Sequence, residues 1–374
     1  MKWKIRYVYL EEQFKKQRPY LANISQVVKR GDFTLGKKLQ EFEEKCAALL
    51  RVKHTIGVAT GTDALYLTLK ALDIKAGDEV ITAPNTFVAT AAAIALTGAR
   101  PVFVDVRDDY TIDPNLIERA IGSRTKGIIP VHLTGNSADL YPIQEIAKRH
   151  KLFVLEDSAQ AFLTLYDNKP VGSFGIAGAF SFHPLKLLHV WGDGGMIATN
   201  DSALAKQLRL WRNHGLKTRN EVDFFAHNSR LHTIQAAVAL VLLPGIANII
   251  EKRRQNARLY KKYLRQLEPQ VHIPENICAA PSRSIYANFV IQVQHRAELI
   301  AYLISRGIEV VVQYPIPLHM QKAAHYLGYK KGDFPVCEKQ ADTILTLPNH
   351  QHLKTNDIRY VAESIIEFYT RFNK

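Results

Sequence analysis

The chain has 374 residues, 49 Lys plus Arg against 35 Asp plus Glu for a net charge of +14, and three cysteines. Its length allows a large buried core and is long for a single domain. Cys46, Cys278 and Cys337 lie far apart with no CxxC or metal-ligand spacing, an odd and sparse set that suits a reducing cytoplasm better than a disulfide framework, while the basic excess raises the question of an anionic partner.

The opening residues, Met1-Lys2-Trp3-Lys4-Ile5-Arg6-Tyr7, run into Glu11-Glu12-Gln13-Phe14-Lys15-Lys16 before any apolar h-region forms, so no export signal is read. Short apolar runs then recur with helical segments between them, at 56–59, 79–82, 101–105, 127–132, 153–157, 178–182 and 195–199. Strands of that length alternating with helices predict an α/β domain with a largely parallel sheet. The first turn with the character of a site is Gly57-Val58-Ala59-Thr60-Gly61-Thr62-Asp63, a strand end, a small-residue turn and a helix start. Backbone N–H groups there, helped by the Thr60 and Thr62 hydroxyls, would cradle a phosphate dianion. A helix capped by Thr62 or Asp63 would read the same way. Next, Phe87 in the loop Ala83-Pro84-Asn85-Thr86-Phe87-Val88-Ala89-Thr90 is placed either to stack on a planar ligand or to anchor the loop in the core.

Asp157 closes the run 153–157 at the carboxyl end of a buried strand, where ligands collect in open α/β sheets. A carboxylate there needs a partner that keeps it ionised, or serves as a helix cap or salt-bridge member. Lys186 follows the run 178–182 and precedes Gly192-Asp193-Gly194-Gly195. Its neighbours Leu185, Leu187 and Leu188 predict an inward, partly buried amine of lowered pKa. An amine to hold an aldehyde and a carboxylate to keep a pyridine nitrogen protonated are the pair that pyridoxal phosphate chemistry requires. The chain contains no GxSxG, HExxH, GxxxxGK[ST] or GxGxxG. Its 14 histidines show no ligand spacing, so no metal is expected.

Further on, the stretch Ile234 to Ile250 approaches membrane length but holds Gln235, a Pro244-Gly245 break and Asn248, and reads as a buried helix rather than a span. The basic run from Lys252-Arg253-Arg254 through Arg258, Lys261-Lys262 and Arg265 alternates with Leu259, Tyr260, Tyr263 and Leu264 at helical spacing. That pattern predicts the solvated face of an amphipathic helix rather than a nucleic-acid stripe. Past Pro269, Pro274 and Pro281, the segment 286–293 alternates like a strand. The expected organisation is a large α/β domain over 1–245 and a smaller α+β domain over 246–374, with roughly the first 20 residues packing on the smaller one.

A series of segments carries a family likeness in chain order. They are Gly31-Asp32-Phe33-Thr34-Leu35-Gly36 with Phe42-Glu43, Gly61-Thr62-Asp63-Ala64-Leu65, Pro130-Val131-His132-Leu133, Glu156-Asp157-Ser158-Ala159-Gln160-Ala161, Gly172-Ser173-Phe174-Gly175 and the block from Lys186 to Gly195. They continue with Arg212-Asn213-His214-Gly215, Asn228-Ser229-Arg230-Leu231, Gln235-Ala236-Ala237, Tyr314-Pro315-Ile316-Pro317-Leu318-His319, Gly332-Asp333-Phe334-Pro335 and Leu347-Pro348. Over essentially its whole length the chain thus resembles the DegT/StrS-like nucleotide-sugar aminotransferases, fold-type I enzymes of pyridoxal 5'-phosphate, with pyridoxamine 5'-phosphate as the intermediate form.

The resemblance implies a mostly parallel central sheet flanked by helices, with a smaller C-terminal α+β domain. By the same likeness Lys186 is the Schiff-base lysine, Asp157 pairs with the pyridine nitrogen, Gln160 approaches the ring hydroxyl and Phe87 stacks on the ring. Thr60, Gly61, Thr62 and Ser181 hold the phosphate, and Asn228 reaches the phosphate of a neighbouring subunit, so a homodimer with shared sites is implied. His183, Gln313, Tyr314 and His319 are expected near the sugar. His183, Thr134 and Gln313 depart from the Tyr, Tyr and His frequent at those positions. The implied substrates are L-glutamate and a nucleotide-linked keto-deoxysugar, with dTDP as the expected nucleotide, in a cytoplasmic enzyme with neither membrane nor nucleic-acid partner. Two rivals are a pyridoxamine-dependent sugar dehydratase, in which a His replaces the lysine, and a nucleic-acid-binding or regulatory protein.

Overall fold

The apolar runs of the first 200 residues are each bounded by turn or helix signals, and strands so apolar bury both faces by pairing with one another under helices. A computed structural model describes residues 3–372 and arranges them in this way. In chain order the strands are β1 (His54–Val58), β2 (Glu79–Thr82), β3 (Arg100–Phe103), β4 (Thr125–Ile128), β5 (Phe153–Asp157), β6 (Leu165–Tyr166), β7 (Lys169–Pro170), β8 (Ala177–Ser181) and β9 (Gly195–Thr199). Seven of them form one sheet in the order β1-β9-β8-β5-β4-β2-β3. Only β9 runs against its neighbours, pairing antiparallel with β1 and β8 while the remaining pairs are parallel.

β5 and β9 lie where the sequence predicts them, but β4 ends at Ile128 instead of running to 132. Pro130 has no N–H to give the ladder. The chain nevertheless keeps tracking β5: Asp157 N–H donates to the Pro130 carbonyl at 2.9 Å and His132 N–H to the Asp157 carbonyl at 3.0 Å.

Alternation along the strands separates two cores. Phe180, Met196 and Ala198 face one cluster with Leu39, Phe42, Ala236 and Val238. Ala177, Ala179 and Ile197 face the other with Leu65, Ala93 and Leu204. Helices Lys37–Leu50 and Thr233–Leu242 therefore cover one face, and Gly61–Ala71, Val88–Leu96 and Ser202–Trp211 the opposite one.

Four further strands follow, β10 (Val271–His272), β11 (Ser282–Arg283), β12 (Phe289–Val293) and β13 (Ile344–Leu347). β10-β12-β13 form an antiparallel sheet, while β11 pairs with β6 of the first unit. Helices Ile246–Leu264, Arg296–Ser305 and Thr355–Phe372 supply the apolar cover, with Tyr260, Leu299 and Ile365 packed against Phe289 and Ile291. The N-terminal segment joins this layer: Ile5 bridges to Ile308, and the Tyr7 and Val8 N–H groups donate to Glu309 at 2.8 and 3.3 Å.

The helical run Thr233–Leu267 is long and apolar enough to cross a membrane by length and composition. Within the fold its first part packs against helices Arg18–Arg30 and Lys37–Leu50, which accounts for its hydropathy. The reading of its second part as a solvated basic face needs correction at Arg253. Ile246, Ile250, Arg253, Ala257, Tyr260 and Leu264 form one buried stripe at 3.6-residue spacing. Arg253 is only 2% exposed, donating to the Ala287 carbonyl at 2.8 Å and to the Tyr9 hydroxyl at 2.9 Å.

Candidate active site

Helix Gly61–Ala71 begins directly off the carboxyl end of β1. Its N-cap is Thr60 rather than Thr62 or Asp63: the extended Thr60 accepts the Asp63 N–H on its hydroxyl at 2.9 Å. The N–H groups of Gly61 and Thr62 have no intrahelical acceptor, and the positive end of the helix dipole lies with them. The chain is drawn in tightly here. A Cβ on Gly61 would lie 2.7 Å from Ser181 Cβ, and one on Gly195 would lie 2.2 Å from the Thr60 carbonyl oxygen. Only glycines let the turn meet the ends of β8 and β9 and leave a cradle of backbone donors beside Ser181.

Asp157, 5% exposed, ends β5. One carboxylate oxygen accepts the Thr90 hydroxyl at 2.7 Å and the other the Ala159 N–H at 3.1 Å, and Thr90 in turn meets the Thr86 hydroxyl at 2.8 Å. Burial raises its pKa, only partly offset by those bonds and by the nearby Lys186 and His132. A buried carboxylate held by neutral donors is complementary to a cationic N–H. The preceding Glu156 points the other way, as strand alternation requires. Its carboxylate accepts the N–H groups of Gly172 at 2.6 Å, Phe174 at 2.7 Å and Gly175 at 2.8 Å. His132 Nδ1 accepts the Ala138 N–H at 3.0 Å, so in the neutral ring Nε2 carries the proton and donates to Glu156 at 3.0 Å.

Lys186 sits on the loop between β8 and β9. That loop is pinned at its base by Phe182 N–H to the Gly194 carbonyl at 2.8 Å and Val190 N–H to the Phe182 carbonyl at 3.0 Å. Leu187 and Leu188 are buried beneath it, whereas Leu185, expected with them, is 39% exposed. His189 holds the Lys186 carbonyl through Nδ1 at 2.9 Å. Burial lowers the Lys186 pKa, against the pull of the Asp157 carboxylate, and therefore favours the free amine.

These groups share one cavity of about 430 Å³. Among the expected residues, Thr60, Gly61, Thr62, Phe87, Asp157, Gln160, Ser181, His183, Lys186, Gln313 and Tyr314 line it. Phe87 is half exposed, its ring centroid 5.7 Å from that of Tyr314. Burial, then the Asp157 charge, push the Tyr314 hydroxyl up to about 12, so it stays a donor.

Two expected residues are elsewhere. His319 is 1% exposed, bonded to Glu338 at 3.0 Å and packed on Phe334. It belongs to the interior between its own turn and helix Pro335–Thr343, because a buried ring beside a carboxylate has its partner already. Asn228 lies on the exposed arm that bridges back to Asn213, outside the cavity of its own chain. Four polar lining residues are not among those the sequence singles out as site residues, Tyr7, Thr86, Asp193 and Asn288. Thr86 adjoins Phe87, but nothing local marks Tyr7 or Asn288, which tertiary packing delivers from the N-terminus and from beside β12.

The donor set fits pyridoxal 5'-phosphate: a cradle of backbone N–H groups that tight glycine contacts shape beside Ser181, a buried carboxylate whose hydrogen bonds come from neutral donors, and an amine of depressed pKa at the same cavity. Among the described residues no cluster of His, Cys, Asp or Glu could hold a metal.

A sequence model described as the DegT/DnrJ/EryC1/StrS aminotransferase family matches residues 15–366. A pleiotropic regulatory protein of Geobacillus stearothermophilus is 41% identical over 366 residues, 97% of this chain and 98% of that protein. A UDP-N-acetyl-3-dehydro-alpha-D-glucosamine 3-aminotransferase of Acidithiobacillus ferrooxidans is 40% identical, covering 92% of each chain. A dTDP-3-amino-3,4,6-trideoxy-alpha-D-glucose transaminase of Streptomyces venezuelae is 36% identical, covering 94% of this chain and 93% of its own. The crystal structure of S. venezuelae DesV in complex with a ketimine intermediate superposes with a TM-score of 0.94 at 35% identity, covering 97% of this chain and 98% of that one.

Proposed function

The chain belongs to the DegT/DnrJ/EryC1/StrS aminotransferase family, and on that premise we propose that it is a cytoplasmic homodimer which uses pyridoxal 5'-phosphate to move the amino group of L-glutamate onto the ketone of a nucleotide-linked keto-deoxysugar, with dTDP as the nucleotide. The observation that carries this reading is the placement of Asp157 and Lys186, one buried acid and one amine of lowered pKa, on a single cavity with the N-terminus of helix Gly61–Ala71.

When bound, the cofactor supplies an aldehyde for the donor's nitrogen and an electron-withdrawing ring that stabilises negative charge at the donor's α-carbon. The N–H groups of Gly61 and Thr62, with Ser181, bind the phosphate and fix the ring's position. Asp157 holds a proton on the ring nitrogen, and Thr90 and the Ala159 N–H keep its carboxylate aimed. Phe87 flanks the ring. With the cofactor bound, Lys186 Nζ would accept the proton from the donor's α-carbon and hold it for return within the cavity, and water would supply the keto oxygen of the departing 2-oxoglutarate while the nitrogen stays behind. The same amine then runs the transfer in reverse toward the sugar's keto carbon, and an amino sugar leaves.

A dehydratase would want a histidine where Lys186 stands. A purely regulatory role, echoed in one relative's name, would leave a buried acid and an amine of lowered pKa facing one cavity without a task. The test is purified protein with glutamate and a panel of dTDP- and UDP-linked 3-keto and 4-keto hexoses. Equimolar 2-oxoglutarate and amino sugar with ping-pong kinetics is expected. Cofactor-loaded protein that forms no 2-oxoglutarate with any member overturns the reading.

A further inference from the structure

Gln160 lines the cavity with an amide whose two ends are chemically opposite, and the structure settles which end faces inward. Its Oε1 accepts the Thr134 N–H at 2.9 Å and the Asn288 Nδ2 group at 3.4 Å. An amide oxygen has two lone pairs, so both are taken and Nε2 is the end turned to the cavity, where one of its two N–H groups meets the Tyr314 hydroxyl and the other is left for a ligand. Asn288 is itself oriented: the Tyr7 hydroxyl donates to its Oδ1 at 2.9 Å, which turns Nδ2 toward Gln160. Burial holds the Tyr7 pKa up at about 12, so this hydroxyl remains a donor across the working range. Thr134 makes its contact from a left-handed backbone at φ 60°, unusual for a β-branched residue, while Asn288 N–H donates to the Thr134 carbonyl at 3.2 Å. Two chain segments far apart in sequence thus converge on the Gln160 amide, and Tyr7 acts on it through Asn288 from a segment fastened to Glu309 and Ile308.

We propose that Tyr7 and Asn288 are positioning residues that hold Gln160 with its nitrogen toward the ring oxygen of the cofactor, so that the N-terminal segment sets the acidity of the bound group. This rests on the function proposed above and on the family likeness, which implies that the ring hydroxyl of the cofactor approaches Gln160. A donor on that oxygen stabilises its negative charge and weakens its hold on the proton it shares. Turned the other way, the amide would set lone pair against lone pair.

The experiment is a pH titration of the absorbance of the cofactor-loaded protein, wild type against Gln160→Leu, Tyr7→Phe, Asn288→Ala and the double variant Tyr7→Phe with Gln160→Leu. For Gln160→Leu the midpoint should rise by about one pH unit, the equivalent of one hydrogen bond at ~1.4 kcal/mol. For Tyr7→Phe and Asn288→Ala it should rise in the same direction by roughly half as much, and the double variant should match Gln160→Leu alone, as coupled residues do. Midpoints for Tyr7→Phe and Asn288→Ala equal to wild type, a double variant whose shifts add, or no shift for Gln160→Leu would each overturn the relay. A wild-type protein that takes up cofactor but fails with every sugar sinks the substrate reading and leaves the relay standing. One that takes up no cofactor removes both.

Discussion

Asp157 and Glu156 are adjacent acids on one strand with opposite tasks. Glu156 closes a ring of three backbone donors and His132, and is wholly interior. Asp157 has neutral partners, a raised pKa and an open side. Substitution separates them. Asp157→Asn should fold with little change in thermal stability and lose about a hundredfold or more in kcat, the scale of removing one preorganised electrostatic group from an active site. Glu156→Gln cannot accept from all four donors with one oxygen, so its main effect should be on unfolding, by roughly 3 kcal/mol. Equal losses of stability in the two variants would contradict the division. At this scale the strand end and the apolar flanks of Lys186 made both catalytic candidates legible from sequence. Arg253 was misjudged because a cation in a basic run reads as solvated, although its register on the apolar stripe was there to see. His319 was misplaced because its partner, Glu338, is chosen by tertiary packing.

Among the elements, the turn into helix Gly61–Ala71 and the loop bearing Lys186 decide whether the site assembles. A methyl on Gly61 would meet Ser181 Cβ at 2.7 Å. Gly61→Ala should therefore keep the fold and weaken cofactor binding about tenfold or more, read by titrating the apoprotein with cofactor. Unchanged affinity would mean the cradle does not hold the phosphate. The Lys186 loop also carries an acid sensitivity. Burial brings His189 down to about 4, and His350, stacked on Tyr9 near buried Arg253, down to about 4 as well. Both folded-state values lie below the ordinary 6.5, so neutral imidazoles contribute stability that is complete above that pH and is lost as pH falls through about 4. The loss is up to ~3 kcal/mol for each group. Melting temperature should drop between pH 6.5 and 4, and less steeply in His350→Asn. Parallel curves for the two proteins would contradict it. Strand alternation gave β5 and β9 to the residue, but Pro130 cut β4 short. Thr60 was not singled out as the cap, since Thr60, Thr62 and Asp63 compete within four residues and only backbone angles choose among them.

For the molecule as a whole, one long mostly parallel sheet was readable from the spacing of apolar runs, whereas of the smaller antiparallel sheet only the strand within 286–293 was. The reach of the N-terminus to Tyr7 was not, because a contact spanning some 280 residues leaves no local pattern. The arm around Asn228 extends outside its own cavity and carries Phe225 at 98% exposure. If a second copy receives it, Lys186→Ala and Asn228→Ala proteins, each impaired alone, should regain about a quarter of wild-type activity when refolded together, since half the dimers then hold one intact site. No recovery would place Asn228 outside the partner's site. The proposed amino transfer depends first on Lys186 forming a covalent bond to the cofactor. Borohydride reduction of the yellow, cofactor-loaded protein followed by peptide mass spectrometry should find the pyridoxyl group on Lys186 and bleach the colour. A colourless protein, or a label on any other lysine, would contradict it.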